Sequence, residues 1–134
     1  MSRTRRTSIE VPGLGHGGQP FPLASRVGPL LLTSAIHGTD PSTGEMGATA
    51  DIQIRQAFDN LGAVLAAAGG SLDDVGQVLV TLADRSDRVL VNEVWTALFP
   101  DPTSRPARNT TERPLGGGAL VALMATAWID DNPH

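Results

Sequence analysis

The chain has 134 residues, a mass of 14.0 kDa and a formal charge of −4 at pH 7. It contains no cysteine, no tyrosine and no lysine, so that arginine is the only strongly basic residue. Without cysteine there is no thiol nucleophile, no disulfide and no thiolate metal site. Without lysine there is no Schiff-base residue and no phosphate-loop lysine. The negative charge and an aromatic content of 4% argue against nucleic-acid binding.

The length is typical of one domain, and we expect residues 1–134 to form a single domain. Residues 1–6 are polar and are expected to be disordered, and residues 130–134 are expected to form a polar tail. The sequence has no apolar run of about 18 residues, which predicts that nothing spans a membrane. Its arginine-rich start lacks the long apolar segment of a signal peptide. A soluble cytoplasmic protein is therefore expected.

The first part of the chain predicts strands separated by turns. Residues 7–11 form a candidate edge strand, and residues 12–22 form a long loop that contains four glycines and three prolines. Residues 23–27 and 29–34 flank Gly28 and are typical of the two strands of a tight hairpin.

A helix is predicted next, after the turn at residues 40–44. Thr49 is the candidate N-cap, and the Gly69-Gly70 pair is the expected C-terminal stop. Apolar residues at steps of three and four form one face of this helix: Ile54, Phe58, Leu61, Leu65 and Ala68.

The second half of the chain alternates strands with one further helix. Residues 75–82 are apolar and rich in β-branched side chains, which favours a strand. A second amphipathic helix is predicted to begin at Ser86, its N-cap, and to end before Pro100. Residues 107–113 and 119–129 are predicted strands, joined by a turn at residues 114–118.

These elements predict an α+β, two-layer fold: a six-stranded, mixed but mostly antiparallel sheet with two helices on one face. The last strand is apolar at nearly every position instead of at alternate positions. Such a strand is typically buried on both faces. We therefore expect the second face of the sheet to pack against other subunits.

Several segments, in their order and spacing, resemble the Rid/YjgF family of reactive-intermediate deaminases, also described as endoribonuclease L-PSP proteins. The resemblance covers about residues 20–129 and implies a chorismate-mutase-like fold and a homotrimer with clefts between neighbouring subunits. The segments are residues 31–34, Asp-Pro-x-Thr-Gly-Glu at 40–45, residues 60–69, Ser-Leu-Asp-Asp-Val at 71–75, Val-Asn-Glu-Val-Trp at 91–95 and Arg-Pro-Ala-Arg at 105–108.

The resemblance also implies a reaction. The family's deaminases hydrolyse an imine or enamine derived from an amino acid to a 2-oxo acid and ammonia, without a metal or an organic cofactor. Arg108 matches the arginine that binds the carboxylate of this substrate, a role that suits the planar, permanently charged guanidinium group. The alternative for Arg108 is an ordinary ion pair at an interface.

Other predicted substrate-binding positions follow from the same alignment. Ser34 and Ala35 match a Ser-Gly pair that offers backbone groups to the ligand, and Phe21 stands where many members have a tyrosine over the cleft. Asn92 matches an asparagine near the site, with capping or polar packing as its alternative role. Thr110 shares a strand face with Arg108 and matches a further polar contact.

The last strand departs from the family pattern. Members that are active deaminases often have Ile-Glu-x-Glu-Ala there, whereas this chain has Ala122 in place of the water-positioning glutamate and Met124 in place of the second. A hairpin over residues 114–118 would leave Arg108 opposite residues 122–124. A ligand carboxylate or Glu112 is then the expected counter-anion.

Two histidines are candidate proton donors or acceptors, because their side chains titrate near neutrality. His37 directly follows the second hairpin strand, and His16 lies in the glycine-rich loop that leads to Phe21. The alternative for both is an exposed loop histidine. Two histidines without a nearby carboxylate pattern make a poor metal site.

Two functions besides imine hydrolysis remain open at this stage. A non-catalytic trimeric binder or sensor of small carboxylates would keep Arg108 and would not need the missing glutamate. Endoribonuclease activity, suggested by the older family description, is less favoured because the chain is acidic, has no lysine and has few aromatic residues.

Overall fold

The computed structural model describes residues 5–130. It contains seven strands and two α-helices, and the short 3-10 turns Leu72–Asp74 and Arg85–Asp87 precede β5 and α2. In chain order the elements are β1 (Arg6–Ile9), β2 (Ala24–Val27), β3 (Leu30–Thr33), β4 (Ile36–His37), α1 (Ala50–Ala67), β5 (Val75–Leu82), α2 (Arg88–Leu98), β6 (Ala107–Glu112) and β7 (Val121–Trp128).

All the strands form one sheet in the order β1-β2-β3-β7-β5-β6, with β4 paired to β7 beside the end of β3. Every pair is antiparallel except β5 and β6, which run parallel. The expected α+β architecture and the hairpin at Gly28 are confirmed, and Gly28 takes the left-handed φ of 57° that this tight turn requires. The two-residue strand β4 was missed, because so short a segment carries no periodic pattern.

The N-terminal strand begins earlier than expected. Arg6 already pairs with Val27 in the sheet, so the end of the segment expected to be disordered is part of β1. The rest of that segment up to residue 4, and the expected polar tail from residue 131, lie outside the described residues.

Helix α1 packs its predicted apolar face into the core, where Ile54, Phe58, Leu61 and Leu65 are buried. Its predicted end is confirmed: Gly69 takes a φ of 89°, and the backbone N–H of Gly70 donates to Leu65 O at 2.8 Å. Thr49 occupies the N-cap position, but its hydroxyl group bonds to the Asp51 carboxylate and caps no backbone N–H.

Helix α2 begins later than predicted. Ser86 lies within the 3-10 turn, and the carboxylate of Asp84 accepts hydrogen bonds from both its backbone N–H and its hydroxyl group. Asp84, and not Ser86, is therefore the N-terminal cap of the 3-10 turn that leads into α2. The helix buries Val91 and Trp95 against the sheet and α1.

The hairpin predicted between the last two strands is wrong. β6 pairs in parallel with β5 at the edge of the sheet, while β7 pairs antiparallel with β5 on its other side. The unit β5–α2–β6 is a crossover between parallel neighbours, which needs an intervening helix. Although only a short connection that includes residues 114–118 joins β6 to β7, these two strands therefore do not pair with each other.

The two faces of the sheet differ. On β7, Val121, Leu123, Ala125 and Ala127 are buried in the core beneath the helices. On the other face Met124 is 45% exposed and Trp128 60% exposed, so β7 is not buried on both faces within one chain. Leu32 and Leu79 add to this open apolar face, whose burial by other subunits stays a prediction.

Candidate active site

Arg108 lies on β6 and is held by three groups from β6 and α2. Its Nη2 donates to the Asn92 side-chain oxygen at 2.6 Å, and its Nε donates to the Thr110 hydroxyl at 3.1 Å. Its guanidinium carbon lies 5.0 Å from the centre of the Trp95 ring, within range of a cation–π interaction. The guanidinium group is thus oriented from three sides.

Local geometry explains why these side chains meet. Arg108 and Thr110 are two residues apart on a strand, so they point to the same face of the sheet. Asn92 and Trp95 are three residues apart on α2, so they lie on one face of that helix. Trp95 was not predicted as a site residue, although its Asn-x-x-Trp spacing from Asn92 indicates that the two side chains share one face of the helix.

No carboxylate within residues 5–130 pairs with Arg108. Glu112, one of the expected counter-anions, instead accepts a hydrogen bond from the backbone N–H of Arg85 at 2.8 Å. Burial lowers the pKa of Arg108, but an arginine keeps its charge at neutral pH. The site therefore presents a half-buried cation whose partners in the described chain are all neutral.

A second group of predicted residues gathers where the glycine-rich loop meets the β3–β4 junction. Nε2 of His16 lies 2.8 Å from Ala35 O. The His16 ring stacks obliquely on Phe21 with 4.8 Å between ring centres, and it faces the His37 ring edge-on at 6.5 Å. Burial, and secondly the nearby His16, lower the pKa of His37. The alternative of exposed loop histidines is wrong, because both residues are half-buried and His37 lies in β4.

Ser34 holds this second group in place. Its hydroxyl donates to Pro22 O and its backbone N–H donates to Leu23 O, both at 2.8 Å. The hydroxyl therefore fixes the loop next to Phe21. A cavity of about 40 Å³ lies beside these residues and is lined by both histidines, Ala35 and Asn60 among others. Asn60 was also missed by sequence reasoning, although its amide donates to the backbone oxygens of His37 and Thr39.

The positions of the two missing glutamates lie away from Arg108. Ala122 pairs directly with His37 across β4 and β7, and Met124 lies in the same row of the sheet as Leu79 and Asn109. Both side chains belong to the open face, whereas Arg108 points toward α2. The expectation that Arg108 lies opposite residues 122–124 is therefore wrong within one chain, because β5 lies between β6 and β7 and Arg108 points to the other face of the sheet.

The structure thus forms two groups from the predicted site residues. Arg108, Asn92 and Thr110 come together at the β6 edge, and the residues near Ala35 come together at the β3–β4 junction. Strands β7 and β5 separate β3 from β6, a distance of roughly 14 Å at about 4.8 Å per strand. One chain does not bring the two groups into contact.

The chain is a two-layer α+β protein whose Arg108, at the edge of the sheet, is oriented by neutral partners among residues 5–130. A family model described as Endoribonuclease L-PSP matches residues 18–127. The chain belongs to this family, which is the Rid/YjgF family that its motifs resemble.

Relatives and solved structures agree with this assignment. The chain is 40% identical to a RutC family protein of Pyrococcus horikoshii over 112 residues, which cover 81% of this chain and 86% of the relative. It is 31% identical to the 2-iminobutanoate/2-iminopropanoate deaminase of Escherichia coli over 113 residues, covering 84% and 85% of the two chains. The crystal structure of RidA from a Psychrobacter species matches with a TM-score of 0.84 and 32% identity, covering 92% and 99%.

Two features of the described residues bear on other kinds of site. Within residues 5–130, no cluster of three or more His, Asp or Glu side chains is arranged to hold a metal ion. In the same part of the chain, neither helix combines the length and the apolar character that crossing a membrane requires.

Proposed function

We propose that this protein hydrolyses small imines and enamines derived from amino acids, releasing 2-oxo acids and ammonia. The observation that carries the proposal is the environment of Arg108: a half-buried guanidinium group that is oriented by neutral partners and not paired with a carboxylate. A carboxylate is the ligand that best matches the planar fork of such a group. The relatives named 2-iminobutanoate/2-iminopropanoate deaminase support this choice of substrate.

The neutral partners leave the charge of Arg108 available to the ligand. Asn92 and Thr110 take up N–H groups on one side, and the Trp95 ring covers one face. The remaining N–H groups can donate to both oxygens of a substrate carboxylate. Arg108 is therefore the substrate-binding and catalytic residue of the proposal, since its charge also draws electron density away from the imine carbon.

We further propose that the active protein is a homotrimer whose clefts lie between subunits. Two features support this: the apolar face of the sheet is open in one chain, and the Arg108 group lies at the β6 edge, away from Phe21, Ser34 and Ala35. A neighbouring subunit can bring its own Phe21 group to that edge. Each cleft would then combine the anion-binding group of one chain with the loop group of another.

The experiment is 2-oxo acid release from enzymatically generated 2-aminoacrylate, with the rate in buffer subtracted. We expect the wild type to accelerate release and Arg108→Ala to lose most of the acceleration, chiefly through a raised KM. Arg55→Ala is the matched control, because Arg55 is an exposed arginine on α1. Equal rates in the wild type and Arg108→Ala, both no faster than buffer, would refute the proposal.

A second candidate function is a non-catalytic binder of small carboxylates. It is favoured by the side chains at 122 and 124, alanine and methionine, where many family members carry glutamates. Calorimetry with 2-oxo acids distinguishes the two functions. Binding that depends on Arg108 without any imine turnover supports the binder, whereas turnover by the wild type rejects it.

A further inference from the structure

His16 carries a buried hydrogen-bond acceptor with no partner. Its Nε2 lies 2.8 Å from Ala35 O, and because a carbonyl oxygen can only accept, Nε2 must be the protonated nitrogen. In a neutral ring Nδ1 is then an acceptor. Nδ1 is buried and has no hydrogen-bond partner among residues 5–130. A buried acceptor of this kind is costly unless something donates to it.

The donor can come from the cavity that His16 shares with His37. The cavity measures about 40 Å³, and a bound water needs roughly 10–15 Å³ measured in this way. Asn60 also lines the cavity, but its amide donates to two backbone oxygens and its oxygen accepts from Gln56. The two imidazole rings, edge to face at 6.5 Å, can hold a water between them, and the Thr39 side chain is a further polar group in the lining.

His37 is suited to act as a base in this cavity. Burial and the neighbouring His16 lower its pKa, which keeps the ring neutral at neutral pH. Across β7 its partner is the uncharged Ala122, and α1 contributes the uncharged Asn60. The nearby carboxylate of Glu10 accepts from Leu23 N, and that of Asp40 accepts from Ser42. Among residues 5–130, the ionisable side chains that line the cavity are those of the two histidines.

We propose that this cavity holds the water that attacks the imine carbon, with His37 as the general base and His16 as the positioning residue. The inference rests on the proposed function. It places the water beside Ala35, which lines the cavity, and near Phe21, whose ring packs on His16. The alanine at 122, directly across from His37, adds no charged group on that side of the ring.

The proposed step is balanced without any further reagent. The water oxygen forms a bond to the carbon of the protonated imine while His37 takes one proton from the water, which gives a carbinolamine. His37 returns that proton to the amino nitrogen. The carbon–nitrogen bond then breaks with its electron pair going to nitrogen, and the hydroxyl proton passes to His37. The products are a 2-oxo acid and ammonia, and the proton on His37 ends on ammonia or in solvent.

The test compares His37→Gln and His16→Gln with the wild type in 2-oxo acid release from 2-aminoacrylate between pH 5 and 8, with the generating enzyme in excess. Gln19→Ala is the control, because Gln19 is exposed in the same loop. We expect wild-type kcat/KM to fall as the pH drops below the ordinary histidine value of 6.5, since protonated His37 cannot act as a base. His37→Gln should lower kcat about 10²- to 10⁴-fold with little change in KM.

His16→Gln can keep the donation to Ala35 O but lacks the acceptor at the Nδ1 position. It should lower kcat less than His37→Gln does, leave KM unchanged and keep the acid limb of the pH profile. A wild-type kcat in His37→Gln, or a wild-type profile without an acid limb, overturns the inference and leaves the Arg108 proposal standing. A wild type no faster than buffer overturns both. The wild-type profile decides the matter even if a variant does not fold.

Discussion

At the scale of single residues, the character of the site comes from how Arg108 is held. An arginine neutralised by a carboxylate would gain little from a second anion, whereas one held by an amide, a hydroxyl and an indole ring keeps its full charge. Neutral partners orient the guanidinium group without neutralising its positive charge, which is the arrangement expected of an anion-binding site.

Asn92→Ala tests this view of the partners. The variant removes the shorter of the two side-chain hydrogen bonds to Arg108 and leaves the charge in place. We expect the Kd of a bound 2-oxo acid to rise about 3- to 10-fold, close to 1 kcal/mol and clearly less than in Arg108→Ala. Titration calorimetry measures the change, and Glu93→Ala, at an exposed neighbouring position on α2, is the control. Equal affinities for Asn92→Ala and the wild type would contradict an orienting role.

The site could be predicted from the sequence only in part. Residue identities at Arg108, Asn92 and Thr110 followed from motif order, and the structure brings these three together. The contacts of His16 could not be foreseen, because they depend on the path of a loop that has no periodic pattern. A loop with four glycines offers many paths, and only the packing around it selects one.

At the scale of elements, strand identity was predictable and strand pairing was not. The helix face of α1 and the strand at Val75–Leu82 follow from local periodicity and composition. The partner of β6 is a long-range choice: α2 carries the chain back to run parallel to β5, and β7 then inserts between β5 and β3. No local pattern in residues 107–129 distinguishes this arrangement from a hairpin.

The close approach of β4 to α1 is an element-scale feature that two glycines can test. A Cβ atom at Gly38 would lie 2.3 Å from the backbone oxygen of Gln53 in α1, whereas one at Gly62 would meet nothing within 4 Å. We expect Gly38→Ala to destabilise the fold by about 1–3 kcal/mol, since backbone atoms must move apart. Gly62→Ala should stabilise it by up to about 1 kcal/mol through helix propensity.

Urea and thermal unfolding at one fixed protein concentration measure both changes. The matched pair separates a steric effect from a general effect of adding a methyl group. If Gly38→Ala were as stable as the wild type, the tight contact between β4 and α1 would not be a constraint on the fold. His37 precedes Gly38, so the same variant should also lower 2-oxo acid release.

At the scale of the whole molecule, the two faces of the sheet differ in what covers them. The helices cover one face, and the other exposes a set of large apolar side chains in the single chain: Leu32, Leu79, Met124 and Trp128. Contiguous apolar surface of this kind usually marks an interaction site. The near-continuous apolar run of the last strand predicted this exposed apolar face. A strand with one face in water needs apolar residues only at alternate positions.

Met124→Lys tests whether that face is the interface of the proposed trimer. A lysine there would place three charges in a desolvated contact, so we expect dissociation from about 42 kDa, three chains of 14.0 kDa, to the single chain. Sedimentation measures the masses. Val89→Lys is the control, since Val89 is 59% exposed on α2 and should leave the trimer intact. Because each proposed cleft combines groups from two subunits, the dissociated variant should also lose 2-oxo acid release even though its own Arg108 group is unchanged. A fully active monomer would show instead that one chain completes the site.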